Sequence, residues 1–278
     1  MNQFGGEWTD RKMRIVVDYA KAYLTIMAKR SYKTIYFDGF AGSGSITDED
    51  GDDEKTKKGT ALKILDIDSP KPFDIYYFVE LKETYKRALE LQISRKYADR
   101  NAFVVKDNCN KKLVDLTKFL KSNDQYRALL FIDPYGMEVQ WASIAALRNF
   151  GIDLWILVPT GVSANRLLKR DGKISDEWYR SLEIFLGISR EEIDKRFYKT
   201  RIISTLFGDE TKTTKVAESV AKLGTLYSDR LKEIFKYVSE PFVLKNSMNS
   251  VMYHFMMATN NKVAHKIANE VIKPKFGE

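Results

Sequence analysis

Five short apolar runs constrain this chain more than any other feature. They cover residues 35–38, 75–80, 102–107, 128–133 and 154–159. Each closes on a polar or glycine-rich turn, and helical segments separate them. Near-continuous apolar strands alternating with helices predict βα repetition and a mostly parallel sheet covered on both faces. In such sheets ligands bind beyond the carboxyl ends of the strands. Four of the five runs reach that end at a carboxylate: Asp38, Glu80, Asp107 and Asp133. One such residue is an ordinary turn or capping residue. Four on one rim point to a site.

The flanking segments extend the α/β reading. Met13, Val16, Val17, Ala20, Leu24 and Met27 recur at helical spacing, with Thr9 as the expected N-cap and Trp8 as a staple before it. Residues 47–58, acidic and then lysine-rich, interrupt the first βα unit as a surface loop beside the site. Gly59 restarts the helix. Trp178, Leu182, Phe185 and Leu186 mark a helical stretch that breaks the alternation. We therefore expect one Rossmann-like domain, residues 1–174 and 241–278, with a helical insertion or cap over 175–240. A late strand over 252–259 and a closing helix over 263–272 complete it. At 278 residues the chain is near the upper limit of one continuous core.

Composition narrows the chemistry. A single cysteine, Cys109, excludes an internal disulfide framework, and with only two histidines we expect no metal site. The first residues lack the basic flank and apolar run of a signal peptide, and no run approaches the roughly 20 apolar residues that span a bilayer. The expected location is the cytoplasm, away from membranes. A net charge of +8 attracts polyanions, nucleic acid first among them. With 38 acidic residues against 46 basic ones, charge alone leaves that partner open.

The sharpest segment is Asp38-Gly39-Phe40-Ala41-Gly42-Ser43-Gly44, directly after an apolar strand. Glycines there let backbone approach a ligand closely, because they lack a Cβ and accept positive φ. A dinucleotide fingerprint would place a third glycine at position 47, which is Thr47. What remains, a strand, an Asp and Gly-x-Gly, has the shape of a turn that binds S-adenosyl-L-methionine (SAM), with Asp38 meeting the methionine amino group. A tight βα turn without a ligand is the alternative.

Glu80 can accept both ribose hydroxyls, or can serve only as an anion at a helix N-terminus. Asp107 and Asn108 stand where a side chain can read an adenine edge, or simply make a turn. Asp133, Pro134 and Tyr135 follow the fourth strand. Methylating an exocyclic amine needs an acceptor for the N–H and an aromatic face to clamp the base, and these three supply those parts. The usual tetrad of such enzymes, Asp or Asn, Pro, Pro, aromatic, lacks its second proline here. A turn after a buried strand is again the alternative.

Cys109 follows the third strand and reads as a packed thiol, His254 as a core histidine and His265 as a surface one. Trp141 and Trp155 read as core. Two basic clusters could contact phosphates. One is Arg166, Lys169, Arg170 and Lys173 after the fifth strand; the other is Lys82, Lys86, Arg87, Arg95 and Lys96 after Glu80.

Five segments resemble the three-Cys-motif partner (TcmP) family in the same order. They are Glu7-Trp8-Thr9-Asp10-Arg11-Lys12; the strand into Asp38-Gly39-Phe40-Ala41-Gly42-Ser43-Gly44; Phe78-Val79-Glu80; Phe131-Ile132-Asp133-Pro134-Tyr135-Gly136; and residues 252–260. The resemblance implies a class I methyltransferase fold with a mostly parallel seven-stranded sheet, SAM as cofactor, and a cysteine-motif partner of radical-SAM character. It makes Gly42 and Gly44 the SAM turn, Glu80 the ribose acceptor and residues 133–136 the motif facing the methyl acceptor. Three functions stay open: a methyltransferase acting on nucleic acid, a catalytically silent SAM-fold module serving a partner, and a NAD-linked oxidoreductase, which Thr47 opposes.

Overall fold

A computed structural model describes residues 7–46, 57–206 and 208–273. Helix α1 (Glu7–Met27) buries Val16, Tyr19, Ala20, Tyr23 and Leu24, one stripe at helical spacing. It begins at Glu7, so Thr9 lies inside the helix and is not its cap. The side chain of Trp8 lies outside the described residues.

Strand β1 (Lys33–Asp38) leads to the glycine turn and to a two-residue ladder, β2 (Ser45–Ile46) with β3 (Lys57–Lys58). Helix α2 (Thr60–Leu65) follows. Most of the expected surface loop, residues 47–56, lies outside the described residues. Its two ends meet: Ser45 pairs with Lys58, and the Gly59 amide donates to the Gly44 carbonyl at 2.8 Å. The insertion therefore does not separate the turn from its helix in space.

The chain continues through β4 (Ile75–Glu80), α3 (Glu83–Lys96), β5 (Ala102–Lys106), α4 (Cys109–Ser122), β6 (Tyr126–Ile132), α5 (Trp141–Ala145) and β7 (Ile152–Val158). A π-helical turn over Thr160–Ala164 passes into the short α6 (Asn165–Leu167). Next come α7 (Asp176–Leu186), α8 (Arg190–Phe197), β8 (Tyr198–Thr205), β9 (Gly208–Lys215) and α9 (Ser219–Lys232). Strands β10 (Tyr237–Val238), β11 (Phe242–Lys245) and β12 (Val251–Thr259) precede α10 (Lys262–Ile272).

The central sheet runs β10-β12-β7-β6-β1-β4-β5, with β11 also paired to β12. Strands β1, β4, β5, β6 and β7 are mutually parallel, and β12 is antiparallel to β7 and to both β10 and β11. This is the mixed, mostly parallel sheet of a Rossmann-like, class I methyltransferase-like fold. Among the described residues it has eight strands where seven were expected, because two short strands share one edge. Pro241, with no N–H to donate, interrupts that edge. Ser239 bridges the gap, its amide donating to the Met257 carbonyl and its hydroxyl accepting from the Met257 amide.

Helices cover both faces. One layer of core joins α1, α2, α3 and α10 to Tyr36, Phe78, Phe131 and Trp155; the other joins α4, α5, α7 and α9 to Phe37, Leu130 and Ile156. Residues 175–240 build the outer part of this second layer, since Tyr179, Leu182, Phe185 and Tyr227 belong to the same buried cluster as the sheet. The helical expectation fails over 198–215, which form the β8–β9 hairpin. Its strands are rich in Thr and Ile, residues that favour extended backbone.

His254 is buried on β12 with its Nδ1 2.7 Å from the Thr160 hydroxyl. His265, expected at the surface, is half-buried and stacks on Tyr237.

Candidate cofactor and acceptor site

The turn after β1 is suspended from both neighbouring strands. The Gly39 amide donates to the Phe131 carbonyl and the Ala41 amide to the Val79 carbonyl, each at 3.0 Å. The Phe40 amide donates to Asp38 Oδ1 at 3.1 Å. Gly42 and Gly44 take φ of 63° and 81°, the left-handed region that glycine enters without a Cβ penalty. The Gly42 amide donates to Glu80 Oε2 at 2.9 Å. From α3, Gln92 Nε2 donates to the Ser43 carbonyl at 2.7 Å.

Beneath the turn, Gly39 leaves no room for a side chain. A Cβ there would lie 2.6 Å from Cys109 Sγ and 2.8 Å from Ile132 Cδ1. Cys109 is thus packing material, its thiol pushed up first by burial and then by the Asp38 charge.

At the end of β6, Asp133 forms an ion pair with Lys12, whose side chain is 6% exposed against 22% for Asp133. Tyr135 stands 69% exposed. These two strand ends face one cavity of about 450 Å³, lined among others by Lys12, Asp38, Gly42, Gly44, Asp133, Tyr135 and Tyr253. Asp38 is buried within it, and its carboxyl is raised to about 7. Burial is the largest cause; the Phe40 amide opposes it and the Asp133 charge reinforces it.

Most of the expected site residues meet here. Asp38, Phe40, Gly42, Gly44, Asp133, Pro134 and Tyr135 line the cavity, with Gly39 below. Glu80 stands behind the turn, its Oε1 accepting from the Lys82 amide at 2.8 Å and its Oε2 from Gly42. A carboxylate has about four acceptor positions; these two amides take two of them, and Glu80 is not among the residues that line the cavity.

Asp107 and Asn108 do not line the cavity. Lys111 and the Asn108 amide hold the Asp107 carboxyl down at about 2, and the Asn108 side chain caps α4 by accepting from the Asn110 amide. The Asn108 oxygen is thereby engaged as the helix N-cap.

The basic clusters are not in the cavity either. The Lys169 ammonium lies 4.7 Å over the Trp178 ring, and the Arg170 carbonyl accepts from the Lys215 amide. Arg166 is close enough to Tyr253 to favour its phenolate, against burial, which pushes that phenol up to about 12. Lys86 pairs with Glu90 and Arg87 with Glu83 along α3.

Lys12 and Tyr253 are among the lining residues that the sequence alone did not assign to the site. Lys12 had a signal: it stands four residues before Val16 on the buried stripe of α1, where a lysine is out of place unless something polar meets it. Tyr253 alternates with Phe255 and Met257 on the strand face toward α1, and alternation alone does not distinguish a cavity wall from core.

No protein-family model matches the chain, and no curated protein matches it. Among solved structures, a Legionella pneumophila protein of family DUF519 is similar at 15% identity over 93% of this chain and 99% of its own, with a TM-score of 0.42. A spermidine synthase in complex with the transition-state analogue AdoDATO is 13% identical over 98% and 66%, also at 0.42. Trm1 from Pyrococcus horikoshii, solved with S-adenosyl-L-methionine, is 9% identical over 91% and 64%, at 0.39. The fold class stands on the strand order itself. Among the described residues, no helix is long and apolar enough to cross a membrane.

Proposed function

We propose that this protein is a SAM-dependent methyltransferase acting on a nucleic acid. The observation that carries the reading is the meeting, in one cavity, of a buried carboxylate under a glycine turn and an Asp-Pro-Tyr segment at the end of β6. The residues fit the cofactor. Gly42 has open space where a side chain would be, so backbone is free to approach a ligand. In this reading Asp38, buried in the cavity wall, holds the methionine ammonium, and Glu80, behind the turn, offers ribose hydroxyls the acceptor positions its two amides leave.

When bound, SAM supplies an electrophilic methyl group. The chain's part is to orient the acceptor and take up its proton. Asp133 Oδ1 is the atom for the acceptor's N–H, since Oδ2 faces Lys12. The exposed Tyr135 ring offers a flat base a stacking face, and the Pro134 carbonyl a second acceptor. The order of the motifs supports assignment to the three-Cys-motif partner family and a cysteine-motif protein as partner.

The Lys12–Asp133 ion pair favours a second reading, a module that binds SAM for a partner without transferring its methyl group. Two measurements decide. Calorimetric titration with SAM tests the cofactor, and absence of both heat and thermal shift at millimolar ligand sinks it. Labelled methyl transfer to a panel of DNA and RNA separates the readings: transfer abolished by Asp133→Ala supports the enzyme, and binding without transfer supports the module.

A further inference from the structure

Lys12 projects from the buried stripe of α1 into the cavity that Asp38 and Asp133 share. A long lysine stem ordinarily carries its charge out to water. Here the ammonium is ion-paired with Asp133 and lies 6.0 Å from the Phe131 ring centroid, with the side chain almost wholly covered. A charge kept inside at such cost alters the electrostatics of whatever enters.

We propose that Lys12 is a specificity-determining residue of this site, offsetting the charge of Asp133 so that a sulfonium methyl donor and its uncharged thioether product are held with similar strength. The inference rests on the cofactor reading above. SAM and its product S-adenosylhomocysteine share their adenosine, ammonium and carboxylate. They differ by the methyl group and one positive charge. A unit charge beside the sulfur shifts the sulfonium more than the thioether, most strongly on the side of the cavity where Lys12 and Asp38 are covered from water. Asp133 without Lys12 would bind the donor selectively; Lys12 without Asp133 would repel it. With both present the pull on the donor is moderated, and donor and product compete for the site on nearly even terms.

The test is calorimetric titration of wild type, Lys12→Met, Asp133→Asn and the double variant with SAM and with S-adenosylhomocysteine at pH 7.5. The readout is the ratio of the two dissociation constants. Removing Lys12 should shift the ratio toward SAM by about tenfold, and removing the Asp133 charge should shift it away by a similar factor. The double variant should return to the wild-type ratio, and Lys12→Arg should keep it. If one single variant fails to fold, the other with Lys12→Arg suffices, since each carries its own predicted sign. A pair with a purely structural role would change both affinities together. An unchanged ratio therefore overturns the inference and leaves the cofactor reading standing. Folded wild type that binds neither ligand overturns both.

Discussion

Glu80, at the end of β4, accepts the amide proton of Gly42 in the turn after β1 at 2.9 Å, and so ties two strand ends into one cradle. The same carboxylate also accepts from the Lys82 amide at 2.8 Å. Glu80→Ala leaves both amides unmatched, at about 1–3 kcal/mol for each that stays buried. We expect a melting temperature lower by several degrees and SAM affinity down at least about tenfold. Unchanged SAM affinity in a destabilised variant would restrict Glu80 to a scaffold role.

The two left-handed glycines should fail differently. At Gly44 a Cβ would lie 2.8 Å from Leu89 Cδ1, so Gly44→Ala adds a clash to the strain of positive φ. At Gly42 nothing lies within 4 Å, leaving only the strain, about 1–2 kcal/mol. Thermal melts should rank Gly44→Ala as the less stable protein. Ligand titrations should rank Gly42→Ala as the weaker binder relative to its stability, because its new methyl group enters the cavity.

Asp38 predicts a pH dependence of definite sign. Its carboxyl sits at about 7 in the folded protein against an ordinary 3.8, so the folded state retains a proton that the unfolded chain releases between those values. Its contribution to stability is greatest in acid, falls as pH rises from about 4 to 7, and levels off above. Asp38→Asn should remove that slope and stabilise the protein at pH 8. His254 acts oppositely on the acid side, since burial holds its imidazole below the ordinary range and acid must charge it. Comparing wild type with Asp38→Asn isolates the aspartate. SAM binding should strengthen from pH 6 to 8 in wild type, as the carboxylate forms, and stay flat in the variant.

Cys109 should be chemically silent in the folded protein. It is buried and its thiol is raised, whereas thiolate is the reactive form. An aromatic disulfide reagent should titrate no thiol in native protein and one on denaturation. Rapid labelling under native conditions would contradict the packing of Cys109 beneath Gly39.

The sheet was legible because its strands are apolar almost throughout, which only a doubly covered parallel sheet requires. Asp38, the glycine turn and the segment from Asp133 to Tyr135 were legible because a parallel sheet puts its strand ends on one rim. Asn108 was ambiguous because a helix N-cap and an adenine reader use the same side chain; the structure shows the cap. The β8–β9 hairpin was missed because its strands are largely exposed and carry little apolar alternation; only their β-branched content marks them. Lys12 was missed because its partner, Asp133, is 121 positions away, and no local pattern couples the two.

Strand β12 occupies the slot beside β7, yet residues 159–250 lie between them in the chain. On the ribosome β7 must therefore wait, its outer ladder unpaired, while that whole stretch is synthesised. Tyr253 rides on the late strand and walls the cavity. A nascent chain halted before it would display a nearly finished sheet and an unfinished pocket, so ligand binding reports completed assembly and cannot chaperone its early stages.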